Sequence, residues 1–170
     1  MHPQRDTFWC GFWAGSIIGP YFFENETGQA ATVNSARYRD IITQFFLSKF
    51  NDIDVANIWF QQDNAACHIA NKTIQLLHET FLGRVLTHFG DQNSPPRSYD
   101  LIPLDFFLWG YLKSKIYVNN LTTTRMLQEE IKRCINEIQP QLCRKIMIHF
   151  DERMRMSAKP WRPFVRCVIP

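Results

Sequence analysis

Apolar residues occur in short runs separated by turn-forming residues, and the period of the runs changes along the chain. Residues 7–13 and 17–23 are aromatic-rich and joined by Ala14-Gly15-Ser16, which predicts two strands and a turn. Residues 28–33 form a loop. Asn34 or Ser35 can then cap a helix to about Phe50, because Tyr38, Ile41, Ile42, Phe45, Phe46 and Phe50 recur at helical spacing. Residues 55–61 form a short apolar strand that runs into Asp63 and Asn64. A helix follows over about 70–81, with Ile74, Leu77 and Phe81 on one face, and Gly83 ends it. Residues 84–89 form another strand, and 90–103 a loop rich in Pro, Ser, Asn and Asp. Three helices complete the pattern. The first runs from Pro103 or Leu104 to about Tyr117. The second spans 122–138, with Leu127, Ile131, Cys134, Ile135 and Ile138 as its buried stripe. The last begins at Pro140 and reaches about Arg153. Residues 159–170 carry Pro160, Pro163 and Pro170 and no strong pattern. This order of elements predicts an α/β layer fold, with helices against a mixed sheet.

Composition narrows the class. At 170 residues the chain suits one domain with a real core, and 45% hydrophobic and 14% aromatic content excludes disorder. A net charge of +3 permits a polyanionic partner without requiring one, so any nucleic-acid claim rests on where the charges sit. Cys10, Cys67, Cys134, Cys143 and Cys167 form no CxxC pair and show no zinc spacing, which predicts reduced, mostly buried thiols. The apolar stretch 8–23 is interrupted by Gly11, Gly15, Gly19 and Pro20, so a hairpin is expected there and no membrane span.

Candidate chemistry lies in the acidic residues. Asp63 follows Ile58-Trp59-Phe60, whose apolar character places that strand inside the sheet. A carboxylate just past its end lies where ligand crevices form in open α/β sheets. The same position would suit an Asp that caps the next helix or stabilises a turn. Asp105 stands near a helix start, where the dipole favours negative charge, and Asp100 is a rival in the same loop. Together Asp63 and Asp105 could clamp a divalent cation such as Mg²⁺, which takes few carboxylates and keeps waters or substrate phosphates. Two such ions about 3.5–4 Å apart can stabilise both the attacking and the leaving oxygen of a phosphodiester.

Several segments, in this order, resemble the mariner-type (Tc1/mariner superfamily) transposases. They are Trp9-Cys10-Gly11, Ile18-Gly19-Pro20-Tyr21-Phe22-Phe23, and Thr32-Val33-Asn34 with Tyr38-Arg39-Asp40. They continue with Phe60-Gln61-Gln62-Asp63 and His68, then Pro95-Pro96-Arg97-Ser98 and Leu108-Trp109-Gly110-Tyr111-Leu112-Lys113. The match runs from about residue 8 to residue 150, and the 41 residues from 64 to 104 between the two acids resemble the family's long-spacing branch. The resemblance implies an RNase H-like fold with a DDE/D site in which Asp63 is the second and Asp105 the third acidic residue. It also implies Mg²⁺ or Mn²⁺, metal-dependent cleavage of DNA phosphodiesters, strand transfer, and a nuclear location (otherwise cytoplasmic). A homodimer on DNA is implied as well. His68 matches a histidine of the family, with a place behind the metal ligands, in contact with DNA, or simply at a helix start.

The departures shape the functional expectation. Nothing corresponds to the family's first catalytic Asp, its strand or its helix-turn-helix region, and Asp6 lies too close to Trp9-Cys10-Gly11 to stand in. Ala66, Ser94 and Tyr99 also depart from common family residues, and no Gly-His ending is recognisable in 159–170. The expectation is an N-terminally truncated catalytic domain over 1–158 with a divergent tail over 159–170. Its sheet would lack the first strand and so have an unpaired edge. Little or no nuclease activity is expected, because losing one ligand of a two-metal site loosens metal position. The alternative is a non-catalytic DNA- or protein-binding module. Arg97, Lys113 and Lys115, with Arg84, would contact DNA phosphates, as would Lys132, Arg133, Arg144, Lys145, Arg153 and Arg155 on the later helices. Each could equally be a solvated surface charge.

Overall fold

The computed structural model describes residues 6–13, 15–50, 58–87, 92–93, 103–116, 121–156 and 165–169, with the backbone alone for 92–93, 154–156 and 165–169. Strands β1 (Phe8–Phe12) and β2 (Ile17–Phe22) form the expected antiparallel hairpin, with a bulge between Trp9 and Gly11. Gly19 in β2 has φ +110°, and a Cβ there would lie 2.8 Å from the Trp9 carbonyl oxygen, so only glycine fits beside the bulged strand.

A helical run follows over 35–50. It opens as α1 (Ser35–Asp40), widens to a π segment (Ile41–Phe46) and tightens to a 3₁₀ turn (Leu47–Phe50). Asn34 caps it, its Oδ1 accepting the Arg37 N–H at 2.9 Å. The π segment has a packing reason. With the Leu47 N–H bonded back to the Ile42 carbonyl, the extra residue per turn brings Ile41, Ile42 and Phe46 to the core together with Tyr38 and Phe50.

β3 (Ile58–Gln62) precedes α2 (Asn71–Phe81), which ends before Gly83 at φ +75°. β4 (Val85–Thr87) follows, and β5 (Gln92–Asn93) is a short strand within the stretch read as loop. The next helix starts as a π segment (Leu104–Leu108) and continues as α3 (Trp109–Ile116). After it come α4 (Thr124–Asn136), α5 (Pro140–Met156) and β6 (Val165–Ile169).

β5, β4, β3 and β6 lie side by side in that order, all parallel. β6 pairs with β3 along its whole length, from Ile58 opposite Val165 to Gln62 opposite Ile169, and also lies in contact with β1. The stretch 159–170, read as carrying no strong pattern, contains a strand, and β3 has β4 on one side and β6 on the other. The Val-Arg-Cys-Val-Ile run is five residues with three β-branched ones, a signal masked by the surrounding prolines.

Side-chain alternation along the strands creates two cores. Trp9 of β1 joins Ile58 and Phe60 of β3, Val85 of β4, Leu77 and Phe81 of α2, and the 35–50 run. Cys10 and Phe12 face the other way, joining Leu104, Leu108 and Leu112 with the buried stripes of α4 and α5. On α4 the buried residues are Ile131, Cys134 and Ile135, with Leu127 and Ile138 half-buried beside them. The result is the expected layer of strands between two layers of helices. Cys10, Cys134 and Cys143 are buried free thiols and Cys67 is a half-buried one. Among the described residues, no helix is long and apolar enough to cross a membrane.

Candidate functional site

Asp63 is the first residue beyond β3, at the carboxyl end of the parallel strands, where open α/β sheets form their ligand crevices. Its neighbours fix its carboxylate. Oδ1 accepts the Ala65 N–H at 3.0 Å, forming a local turn, and also accepts the Nδ1 proton of His68. The loop is tied to β4 as well, since the Thr87 hydroxyl donates to the Asn64 side-chain oxygen at 3.3 Å.

His68 is only 4% exposed, and its ring lies over Tyr38 with centroids 4.1 Å apart. The Tyr38 hydroxyl donates to Gln62 Oε1 at 2.8 Å, and Gln62 Nε2 donates to the His68 carbonyl at 3.0 Å. Tyr38, Gln62, His68 and Asp63 therefore form one connected chain, buried except at the Asp63 carboxylate. It links α1, the end of β3 and the loop that carries the acid. His68 thus lies behind Asp63, buried and bonded to its carboxylate. Tyr38 and Gln62 were legible only as core and strand residues. The available signal was two consecutive glutamines ending a strand that is otherwise apolar.

Asp105 enters from a different element, the first turn of the helical run that begins at Pro103. The π turn over Leu104–Leu108 is closed by the Trp109 N–H bonding to the Leu104 carbonyl, which buries Leu104 and Leu108 while Asp105 stays part-exposed. The two acids interact electrostatically. Burial pushes the Asp105 carboxyl above the usual carboxylate range, and the charge of Asp63 pushes it the same way. Burial also acts to raise Asp63, but the His68 hydrogen bond and charge and the Ala65 amide outweigh it and hold that carboxyl below the usual range. Two neighbouring carboxyls are thus driven in opposite directions, a pattern typical of functional sites.

The remaining expected residues separate. Lys113 and Lys115 are exposed on the last turn of α3, with the Lys115 ammonium 5.9 Å from the Tyr111 ring centroid. Arg97 and Asp100 lie outside the described residues. Arg153 of α5 does come to the acidic segment, its guanidinium 4.4 Å from the ring centroid of Phe106, the residue after Asp105.

The donor set suits a hard cation held on one side only. Asp63 and Asp105 supply carboxylate oxygens, and Gln61 Oε1, buried two residues before Asp63, has no protein partner among the described residues. No set of three His, Cys, Asp or Glu side chains among the described residues forms a metal-holding group. β4 and β6, the neighbours of β3, carry no acidic residue. These groups fit an ion that keeps waters or substrate phosphates and do not fit a closed protein cage.

No family model and no curated protein matches this sequence. Solved structures do match. The catalytic domain of Mos1 transposase with raltegravir and Mn superposes with a TM-score of 0.70 at 15% identity, over 94% of this chain and 82% of that one. A pre-cleavage Mos1 transpososome gives 0.68 at 15% identity, over 95% of this chain and 48% of that one. A Mos1 paired-end complex with left transposon end gives 0.69 at 17% identity, over 91% and 44% respectively. The chain therefore has the fold of the Mos1 mariner transposase catalytic domain, an RNase H-like layer of strands between helices.

Proposed function

We propose that this chain is a transposase-derived catalytic domain in which Asp63 and Asp105 supply carboxylates to a divalent cation. It associates with DNA, and the 170-residue chain by itself, with these two carboxylates, cleaves phosphodiesters poorly. One arrangement supports the reading: on this fold Asp63 stands at the end of β3 and Asp105 at a helix start, and the charge of Asp63 acts to raise the Asp105 pKa. Mg²⁺ or Mn²⁺, present with the Mos1 domain in solved structures, would be held here by those two carboxylates. When bound it would supply charge stabilisation to a phosphodiester. The chain's own contribution is to fix Asp63 through His68 and the Ala65 amide, and to offer Lys113, Lys115 and Arg97 to phosphates. Weak cleavage by the 170-residue chain follows from a set of two carboxylates, because a loosely held ion is a poorly positioned one.

A supercoiled-plasmid nicking assay in Mg²⁺ and in Mn²⁺ tests this. Background nicking, unchanged in Asp63→Ala, is the expected result. Robust nicking by the purified chain that Asp63→Ala abolishes would overturn it. The second reading, a DNA-binding module without catalysis, differs only in lacking metal affinity. Mn²⁺ titration followed by water-proton relaxation separates the two, since the first requires weak binding lost in Asp63→Asn.

A further inference from the structure

A groove of about 550 Å³ lies away from the acidic pair. It is bounded by the β1–β2 turn (Trp13, Ser16), the start of β2 (Ile17 to Pro20), the end of the 35–50 helical run (Phe45, Lys49, Phe50) and α4 (Lys132, Asn136). Its volume is that of a small-ligand cleft. Its lining residues include two lysines and no acid. Lys49 and Lys132 are exposed and form no ion pair among the described residues. Each ammonium sits near a ring instead, Lys49 at 5.2 Å from the Phe45 centroid and Lys132 at 5.3 Å from that of Phe22. Such contacts hold a cation in place without neutralising it. Asn136 is an exposed amide.

The aromatic wall is fixed before any ligand arrives. Trp13 donates its indole N–H to Ser16 Oγ at 3.0 Å and meets Phe50 edge-on at 5.9 Å. Its ring lies against Gly15 so closely that a Cβ there would come within 2.5 Å of Cζ2. The groove thus combines immobilised rings, two unneutralised cations and one amide. That is the chemistry which grips a nucleotide through its phosphate and the flat face of its base, with little base discrimination.

We propose that this groove holds one nucleotide of a single DNA strand, its phosphate at Lys49 and Lys132 and its base among Trp13, Phe45 and Phe50. The proposal rests on the reading of the chain as a DNA-handling domain. Its test uses neither metal nor cleavage, so the two fail separately. Retention of fluorescein-labelled (dT)₁₀ by the whole chain is measured by anisotropy across a salt series, without divalent ions. Lys49→Ala with Lys132→Ala weakens it about tenfold or more and flattens the log–log salt slope by about 1.4, the value for two phosphate contacts on a single strand. The corresponding double Lys→Arg variant restores both. Trp13→Phe, which keeps a ring in the wall, weakens binding less than the double alanine variant.

Lys72→Ala with Arg125→Ala, which removes two exposed cations outside the groove, leaves retention within twofold. An equal loss in that pair would mean diffuse charge and overturn the assignment. Competition by poly-glutamate or tripolyphosphate as strong as by unlabelled (dT)₁₀ would also overturn it, because then the rings read nothing. Melting curves of the alanine variants, both at exposed positions, confirm that any loss comes from a folded protein.

Discussion

Replacing His68 with alanine should uncouple Asp63 from the core. The wild-type ring is almost fully buried, donates through Nδ1 to Asp63 Oδ1 and lies over Tyr38 with centroids 4.1 Å apart. A hydrogen bond to a charged group contributes about 1.5–3 kcal/mol, and an aromatic contact about 0.5–1.5 kcal/mol. The Asp63 side chain is 39% exposed, so water takes over part of the lost bond and the lower part of the first range applies. The sum is about 2–3 kcal/mol, or a fall in Tm of roughly 5–10 °C for a chain of this size. The pH profile should move too. A carboxyl held below its ordinary pKa gives stability that is present above the unfolded value and lost as pH falls through the folded one. Without His68, burial dominates at Asp63 and raises its folded pKa, so the stability lost in the variant is largest near neutral pH and shrinks as pH falls through the carboxylate range. His68→Asn, which can present an N–H near the same place, should recover about 1 kcal/mol. Tyr38→Phe is the control. It removes the donor to Gln62 Oε1 and costs about 1–3 kcal/mol, by the same amount at neutral and acid pH. Thermal and urea unfolding across pH reads all of these. An alanine variant within about 0.5 kcal/mol of wild type, or one whose loss of stability does not change with pH, would refute the reasoning.

Two further outcomes are expected. Asp63→Asn should lower the Asp105 pKa while leaving it above the ordinary range, since burial is the larger cause and remains; carboxyl ¹³C NMR titration reads this, and an unmoved Asp105 would contradict the proximity of the pair. Asp105 itself has the opposite linkage to Asp63, with stability present below the unfolded pKa and lost as pH rises through the raised folded one. Val168→Pro, placed opposite Gln61 in the middle of β6, should cost about 1–3 kcal/mol through an unpaired backbone group and should increase light scattering on partial unfolding; unchanged urea midpoints would exclude β6 from the sheet.

Much of this architecture was readable because local signals agreed with one another. Asn34 marked a helix start, Gly83 a helix end, and the aromatic alternation of 7–23 a hairpin. The electrostatic influence of Asp63 on Asp105 was not readable, because periodicity places each acid at the end of an element and says nothing of which ends are neighbours. The π turns at Ile41–Phe46 and Leu104–Leu108 were invisible, since insertion of one residue into a helical turn leaves the apolar spacing nearly unchanged. Gln62 could not be identified as the link between Tyr38 and His68, because its partners lie on separate elements. β6 was missed for a related reason. A five-residue strand is defined by the neighbour it pairs with, and that neighbour lies more than a hundred residues earlier.

That separation has a kinetic consequence. A parallel pair so distant in sequence carries a large loop-closure cost and forms late, after the hairpin and the local helices are in place. Until residues 165–169 arrive, β3 is complete on its β4 side only. The order of assembly therefore runs from the periphery inward, and the strand that bears the Asp63 loop is among the last to be locked.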